Sequence, residues 1–218
     1  MFLGHYAVAY AAKRAAPRTS LGALFLGAQL ADLIWPIFLL LGLERARVLP
    51  AATGMTPLAF DHYPWTHSLL MITLWGAGAA IVYFALRRYR AGALVIGLLV
   101  VGHWVLDLIV HRPDLPLYPG GTVLLGFGLW NVPMAAFALE LAMLAIGLWW
   151  YLGATRARDG VGRVGTWGLV AFLLVTHIAN VFSPPPPGIE AVAWVGLSAW
   201  LLPLLAWWID GHREVSPS

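Results

Sequence analysis

Cysteine is absent from this sequence and charged residues are scarce. Without cysteine, disulfide bonds, thiolate nucleophiles and cysteine-based zinc sites are excluded, and the redox compartment stays open. Only 11% of the 218 residues are charged and 61% are hydrophobic, whereas a soluble domain has about 25% charged residues. The mean hydropathy is +0.78. These values predict an integral membrane protein, and the length suits a single membrane domain over residues 1–218.

Long basic runs are lacking as well. The formal charge is +3, and the basic residues occur in short clusters between apolar segments. Such clusters are typical of topology signals in membrane proteins. Because no basic face can be assembled from them, we expect no nucleic-acid binding.

Six apolar segments come close to the roughly 20 residues that a helix needs to cross the hydrocarbon core. They lie at about residues 21–43, 65–86, 92–111, 129–152, 165–183 and 190–209. Pro36 and Pro133 fall inside two of them and are expected to kink the helices. Residues 2–12 are too short to span, and they predict a half-helix that enters the bundle from one face. The expected fold is an all-α polytopic transmembrane bundle of about six spanning helices plus this half-helix.

The distribution of Lys and Arg predicts the orientation. Ten of the 13 lie in the N-terminal segment, the 87–91 loop, the 153–164 loop and the C-terminal tail. The other three are Arg45, Arg47 and Arg112. The positive-inside rule therefore predicts cytoplasmic termini at both ends of the chain.

The segment GHWVLDLIVHRPD, residues 102–114, places ionisable side chains inside an apolar helix. His103, Asp107 and His111 stand at i, i+4 and i+8, which puts them on one helix face about 80° wide. Ionisable groups at membrane depth are costly and are usually retained for function. Imidazole and carboxylate are also the ligands that zinc prefers. This face predicts a polar centre that binds a metal.

Further ionisable residues are expected near the same depth. Counting from the predicted helix starts places Asp32, His103, Glu140 and His177 about 15–18 Å into the membrane. The half-helix, which is expected to enter from the cytoplasmic face, brings His5 toward them. Simpler interpretations stay open for some of them. His177, with Asn180 one turn later, is also compatible with a hydrogen bond between helices. Glu140 is compatible with pairing to a histidine, and His111 with an interfacial side chain.

The motif THSLL, residues 66–70, contains another histidine at a predicted helix start. Thr66 and Ser68 flank His67 and are residue types that cap helix N-termini. Because a helix N-terminus favours anions, this segment is a candidate position for a substrate phosphate.

Four short motifs follow one another along the first half of the chain: GHYAVAYAAKR, GAQLADLIWP, THSLL and GHWVLD. In this order they resemble the LexA-regulated, metal-dependent hydrolase family of the bacterial inner membrane. The resemblance covers roughly residues 1–115. It implies a bacterial inner-membrane location and metal-dependent hydrolysis.

The same order of ligands is similar to that of the soluble, helical, zinc-dependent phospholipase C and nuclease family. That resemblance implies a central metal site formed by Asp32, His67, His103 and Asp107. It also implies a second metal next to Asp107, held by His5 and the terminal amine. The later His-xxx-Glu pair of that family is missing, because Ala136 stands four residues before Glu140. A third site would therefore need His111 and Glu140 to meet through space.

The leading hypothesis is a membrane-embedded hydrolase with one or two divalent metals, zinc being the expected ion. Water activated by the metal would attack a phosphoester of a lipid or lipid-linked substrate. The predicted catalytic residues are Asp32, His67, His103 and Asp107, with Asp32 acting as a ligand or as a base. The predicted metal ligands are these four residues together with His5 and His111. No sequence feature indicates an obligate protein partner.

Two other classes of function are compatible with the same residues. Transporters and proton pathways also contain buried His, Asp and Glu, although they usually show inverted repeats or paired broken helices. A non-catalytic membrane protein with a structural metal site is the third class. The metal content of the purified protein separates the hydrolase and the structural-metal classes from most transporters and proton pathways.

Overall fold

The computed structural model describes residues 1–216 and consists mainly of helices. The long helices are α1 (Leu3–Ala12), α2 (Leu21–Leu40), α4 (Leu69–Arg87), α5 (Arg90–Val110), α6 (Pro133–Ala154), α7 (Gly160–Phe182), α8 (Ile189–Ser198) and α9 (Leu201–Gly211). A single turn, α3 (Pro64–His67), precedes α4. Within the described residues, six helical segments are long and apolar enough to cross a membrane, the sixth being α8 and α9 together. The predicted all-α polytopic bundle is confirmed.

The two prolines expected to kink helices have different positions in the structure. Pro36 lies inside α2 as predicted. Pro133 instead begins α6, preceded by a 3-10 turn at Leu129–Asn131. Proline has no backbone N–H and its φ angle is already helical, so the first position of a helix suits it well. The expected kink at Pro133 was therefore wrong.

Three short antiparallel strand pairs connect the helices where the sequence predicted loops. β1 (Arg45–Val48) pairs with β2 (Leu58–His62), and β3 (Leu115–Pro116) pairs with β4 (Leu124–Leu125). The third pair joins β5 (Thr155–Ala157), which follows α6, to β6 (Arg213–Val215), which follows α9. These pairs lie at the ends of the spanning helices and tie the loops together.

The short helix α1 is buried at the centre of the bundle. Leu3, Tyr6 and Tyr10 are at most 1% exposed and pack against Phe25 of α2 and Tyr151 of α6. The backbones of α1 and α6 approach so closely that a Cβ at position 147 would collide with the main chain of α1, which explains the glycine there. Protein therefore covers a helix that is too short to span the membrane, as such a segment requires.

One end of the bundle carries most of the positive charge, and we call it the basic end. There Lys13, just after α1, contacts Asp210 of α9, and Arg18 stacks on Tyr89 of the α4–α5 loop. The β5–β6 pair lies at this end too, because it joins the end of α6 to the end of α9. The four segments that contain ten of the 13 Lys and Arg residues thus meet at one end.

Candidate metal centre

Two overlapping groups of His and Asp side chains lie together inside the bundle. One consists of His5, His103 and Asp107, and the other of Asp32, His67 and His103. Within each group the candidate ligand atoms all lie within 4.8 Å of one another. Such buried groups could hold a metal ion. The sequence predicted all five of these residues as ligands.

Four different elements supply these side chains. His103 and Asp107 stand one turn apart on α5, so the helix itself brings His103 Nε2 to 3.1 Å from Asp107 Oδ2. Asp32 comes from α2, and its Oδ1 lies 3.7 Å from His103 Nε2. His67, at the end of α3, places Nε2 3.4 Å from Asp32 Oδ1 and 3.9 Å from Asp107 Oδ2. His5 reaches the centre from α1.

The tautomer of neutral His103 follows from its hydrogen bonds. Its Nδ1 lies 2.8 Å from the carbonyl oxygen of Ala28. A carbonyl only accepts, so Nδ1 carries the proton and the Nε2 lone pair of the neutral ring faces Asp32 and Asp107. Nε2 has no hydrogen-bond partner among the residues the structure describes. The neutral form of His103 therefore presents an acceptor to two carboxylates, whereas the protonated form would donate to them.

His67 is oriented in the same way by a chain of two hydrogen bonds. Thr66 Oγ1 donates to Glu44 Oε2 at 2.7 Å and lies 2.7 Å from His67 Nδ1. A hydroxyl has one proton, so Thr66 accepts from His67 Nδ1 and leaves the Nε2 lone pair free. Glu44 Oε1 also accepts from the backbone N–H groups of Trp65 and Thr66, each at 2.8 Å. Burial raises the pKa of Glu44, while these hydrogen bonds oppose that shift.

No signal in the sequence marked Glu44, and both Thr66 and Ser68 were expected to cap or hydrogen-bond at a helix start. In the structure Ser68 caps α4, since its side chain accepts from the N–H of Met71, and Thr66 bridges Glu44 to His67. Glu44 is 1% exposed although it lies in a loop just after α2. No local pattern marks it, because its role depends on contact with a residue more than 20 positions away.

The four atoms Asp32 Oδ1, His67 Nε2, His103 Nε2 and Asp107 Oδ2 face one another as acceptors. In a tetrahedral zinc site with bonds of about 2.0–2.1 Å, neighbouring ligand atoms lie about 3.3 Å apart. The four distances that connect these atoms range from 3.1 to 3.9 Å. Three of these four side chains are buried, and converging acceptors are unfavourable there unless a proton or a metal cation lies between them. The distances between these four atoms and their chemical types, imidazole nitrogen and carboxylate oxygen, both fit a divalent metal.

The second oxygen of Asp107 faces His5 and the terminal amine. His5 Nε2 lies 3.1 Å from Asp107 Oδ1, and the amine of Met1 donates to the same oxygen at 2.6 Å. The ring of His5 stacks on that of His103, with centroids 3.7 Å apart and planes at 6°. Asp107 thus faces both sides of the cluster, with Oδ2 toward His67 and His103 and Oδ1 toward His5 and the amine. His5 and the amine lie where the resemblance implied a second metal.

Glu140 and His177 stand beside α1 rather than among the candidate ligands. Glu140 Oε2 accepts from the backbone N–H groups of Phe2 and Gly4, at 2.9 and 3.3 Å. A carboxylate is favourable at the positive end of a helix, and Glu140 therefore stabilises the N-terminus of α1. His177 is stacked between the rings of Phe2 and Phe137, at 6.1 and 5.1 Å. Each supports the segment that carries His5.

His111, predicted as a ligand, lies outside both groups. Its Nδ1 is 2.9 Å from Asp114 Oδ1, and the hydroxyl of Tyr63 donates to the same oxygen at 2.8 Å. Burial lowers the pKa of His111. Since Glu140 caps α1 while His111 pairs with Asp114, the structure does not bring these two residues together through a described contact.

Access to the centre differs among the candidate ligands. The side chain of Asp32 is 41% exposed, whereas those of His67, His103 and Asp107 are at most 5% exposed. Asp32 is therefore the most exposed member of the centre.

Comparison with known proteins yields no family model, no curated protein and no solved structure that matches this chain.

Proposed function

We propose that this protein is a membrane-embedded hydrolase that uses a divalent cation, zinc being the expected ion, to cleave a phosphoester. The observation that carries the proposal is the convergence of two imidazole nitrogens and two carboxylate oxygens, at 3.1 to 3.9 Å, with both imidazoles oriented through Nδ1. The order of motifs that resembles metal-dependent membrane hydrolases supports the same conclusion.

The roles of the residues follow from their positions. A divalent cation bound here supplies a Lewis acid that lowers the pKa of water and stabilises charge on phosphoryl oxygens. His67, His103 and Asp107, which are buried, hold the cation. Asp32 is the exposed member and lies where a substrate would approach, so it is placed to orient water or to accept its proton, in addition to any contact with the cation.

The expected substrate is a lipid or lipid-linked phosphoester. The candidate ligands come from helices of membrane-spanning length and from the elements packed against them. A substrate that partitions into the membrane reaches such a centre without leaving the bilayer, whereas a water-soluble phosphoester would have to enter it.

Metal analysis and lipid hydrolysis test the proposal together. Purified wild-type protein should contain about one or two zinc ions per chain and should release phosphate or a phosphorylated headgroup from members of a lipid panel. His103→Ala should lose metal and activity together, because it removes the residue that both groups share. Asp32→Asn should lose activity and keep the metal if Asp32 acts as the base.

His62→Ala and Asp61→Asn are matched controls, since these exposed residues of β2 lie outside both groups. They should leave metal content and activity unchanged. Protein that carries no metal after supplementation with zinc, manganese or iron would contradict the proposal. Proton- or solute-coupled flux in proteoliposomes, without hydrolysis across the panel, would favour a transporter.

A further inference from the structure

A cavity of about 260 Å³ opens at the basic end, far along α4 and α5 from the metal centre. Its lining residues are Arg18, Tyr83, Leu86, Arg87 and Tyr89. Arg87 is the last residue of α4, Tyr89 immediately precedes α5, and Arg18 lies in the loop that leads into α2. Three spanning helices therefore begin or end around this cavity.

Two contacts hold the walls of the cavity in place. The guanidinium of Arg18 lies 4.6 Å from the centroid of the Tyr89 ring, which is a cation–π distance. The hydroxyl of Tyr83 donates to Thr19 Oγ1 at 2.9 Å. The α4 side of the cavity is thereby tied to the loop that carries Arg18, and a ligand would meet a preformed site.

The positive charge around the cavity is not compensated by nearby acidic residues. Neither residues 13–20 nor residues 87–90 include Asp or Glu. Arg18 and Arg87 form no salt bridge within residues 1–216. Lys13 is the exception in these loops, because its ammonium is paired with Asp210. The two guanidiniums at the cavity are thus available to an external anion.

The position of the cavity indicates which anions it would meet. It lies where membrane-spanning helices meet the interface, and two tyrosines line it, as is common at headgroup level. The anionic groups at this depth are the phosphates of phospholipids, which guanidiniums bind with matching geometry. A topology signal requires only net charge in the loop. It does not require two arginines on one cavity with one of them stacked in place.

We propose that this cavity binds the headgroup phosphate of an anionic phospholipid, with Arg18 and Arg87 as the binding residues and Tyr83 and Tyr89 as its walls. The site is separate from the metal centre and does not depend on the proposed hydrolase activity.

The test measures lipid binding to the purified full chain in a phosphate-free, uncharged detergent. Phosphatidylglycerol, phosphatidylcholine and inorganic phosphate are added separately, and binding is followed by native mass spectrometry and by the shift in Tm. Wild-type protein should bind phosphatidylglycerol more tightly than the other two. The double variant Arg18→Gln/Arg87→Gln should weaken that binding by roughly tenfold or more, since each Arg near an anionic surface contributes about 1 kcal/mol.

The matched control is Arg14→Gln/Arg90→Gln, which removes the same charge from the same end but does not alter the cavity lining. It should retain most of the affinity. Equal weakening by both double variants would overturn the proposal in favour of a diffuse basic surface. Inorganic phosphate binding as tightly as phosphatidylglycerol would overturn the lipid assignment.

Should the double variant not fold, each single variant must weaken binding for the proposal to hold. Unchanged zinc content in these variants separates this result from the fate of the hydrolase proposal.

Discussion

Two buried polar clusters lie near opposite ends of α1, and they differ in how completely their hydrogen bonds are satisfied. In the anchor cluster, which consists of Lys13, Thr19, Leu21, Tyr151 and Asp210, Lys13 Nζ donates to Asp210 Oδ2 at 2.6 Å and to the Thr19 carbonyl at 2.9 Å. Asp210 also accepts from the N–H of Leu21 at 3.0 Å and from the hydroxyl of Tyr151 at 2.9 Å. Both oxygens of Asp210 and the Lys13 ammonium therefore have partners.

At the candidate metal centre, which consists of His5, Asp32, His67, His103 and Asp107, the balance of hydrogen-bond donors and acceptors is different. His103 Nε2 and His5 Nδ1 have no hydrogen-bond partner anywhere in residues 1–216. In their neutral forms, His67 and His103 direct the Nε2 lone pairs at carboxylates that are themselves acceptors. A buried cluster whose own groups satisfy one another is stable without a ligand, whereas a buried cluster with excess acceptors is stabilised by a proton or a cation. The anchor cluster is thus internally satisfied, whereas the other cluster has the excess of acceptors that could hold a metal ion.

The largest expected change in stability comes from breaking the anchor cluster. Lys13→Met leaves Asp210 buried without its charge partner, and removing one partner of a buried pair costs about 3–5 kcal/mol. Thermal unfolding in detergent should show a lower Tm, whereas Arg14→Met, an exposed neighbour, should not. Zinc content per folded chain should stay at the wild-type value. An unchanged Tm would mean that the anchor cluster does not stabilise the fold.

Chelation should act on the metal centre alone. A metal present at a hundred times its Kd stabilises the folded state by about 3 kcal/mol, so its removal should lower the Tm of the wild type. His103→Ala should show no chelator effect, and Lys13→Met should show the full one. An equal chelator response in wild type and His103→Ala would place the bound metal elsewhere.

Glu44→Gln should affect the metal centre less than loss of a ligand. The amide keeps the shape of the side chain but weakens the hydrogen bond to Thr66, which orients His67. Loss of such an outer contact typically lowers metal affinity about 10–100-fold. Competition with a zinc chelator of known affinity measures the change. Thr66→Val should produce a similar loss and Thr66→Ser should restore affinity, a pattern that a purely structural role of this loop would not produce.

The smallest effect is expected for an ion pair in contact with water. Arg47 and Asp61 join β1 to β2 through hydrogen bonds of 2.7 and 2.8 Å, and the Arg47 side chain is 68% exposed. The bond to Arg47 lowers the pKa of Asp61 from its ordinary value of 3.8. The contribution of this ion pair to stability should be fully present above pH 3.8 and should be lost as the pH falls through the lowered pKa of Asp61. Asp61→Asn should cause only a slight fall in Tm at neutral pH, and this difference should vanish in acid.

The spanning helices and most of the candidate ligands were predictable because their patterns are local. An apolar run of about 20 residues has few alternatives to a spanning helix. The i, i+4 spacing placed His103 and Asp107 together on α5, which the structure shows at 3.1 Å. The same spacing put His111 on that face, but the helix ends at Val110, and His111 turns to Asp114 instead. Local periodicity is informative only as far as the helix extends.

Composition and periodicity alone thus determined a helical membrane protein with ionisable groups inside it, since burial in lipid constrains every residue of a spanning segment. Tertiary structure decided which of these groups meet and what each one does. Glu140 caps α1, Asp210 anchors Lys13, and Glu44 orients His67, although all three are carboxylates in or near apolar segments. Their roles depend on which donors lie within about 3 Å. The choice of donor is set by contacts between residues 22 to 197 positions apart, and no local pattern in the sequence specifies those contacts.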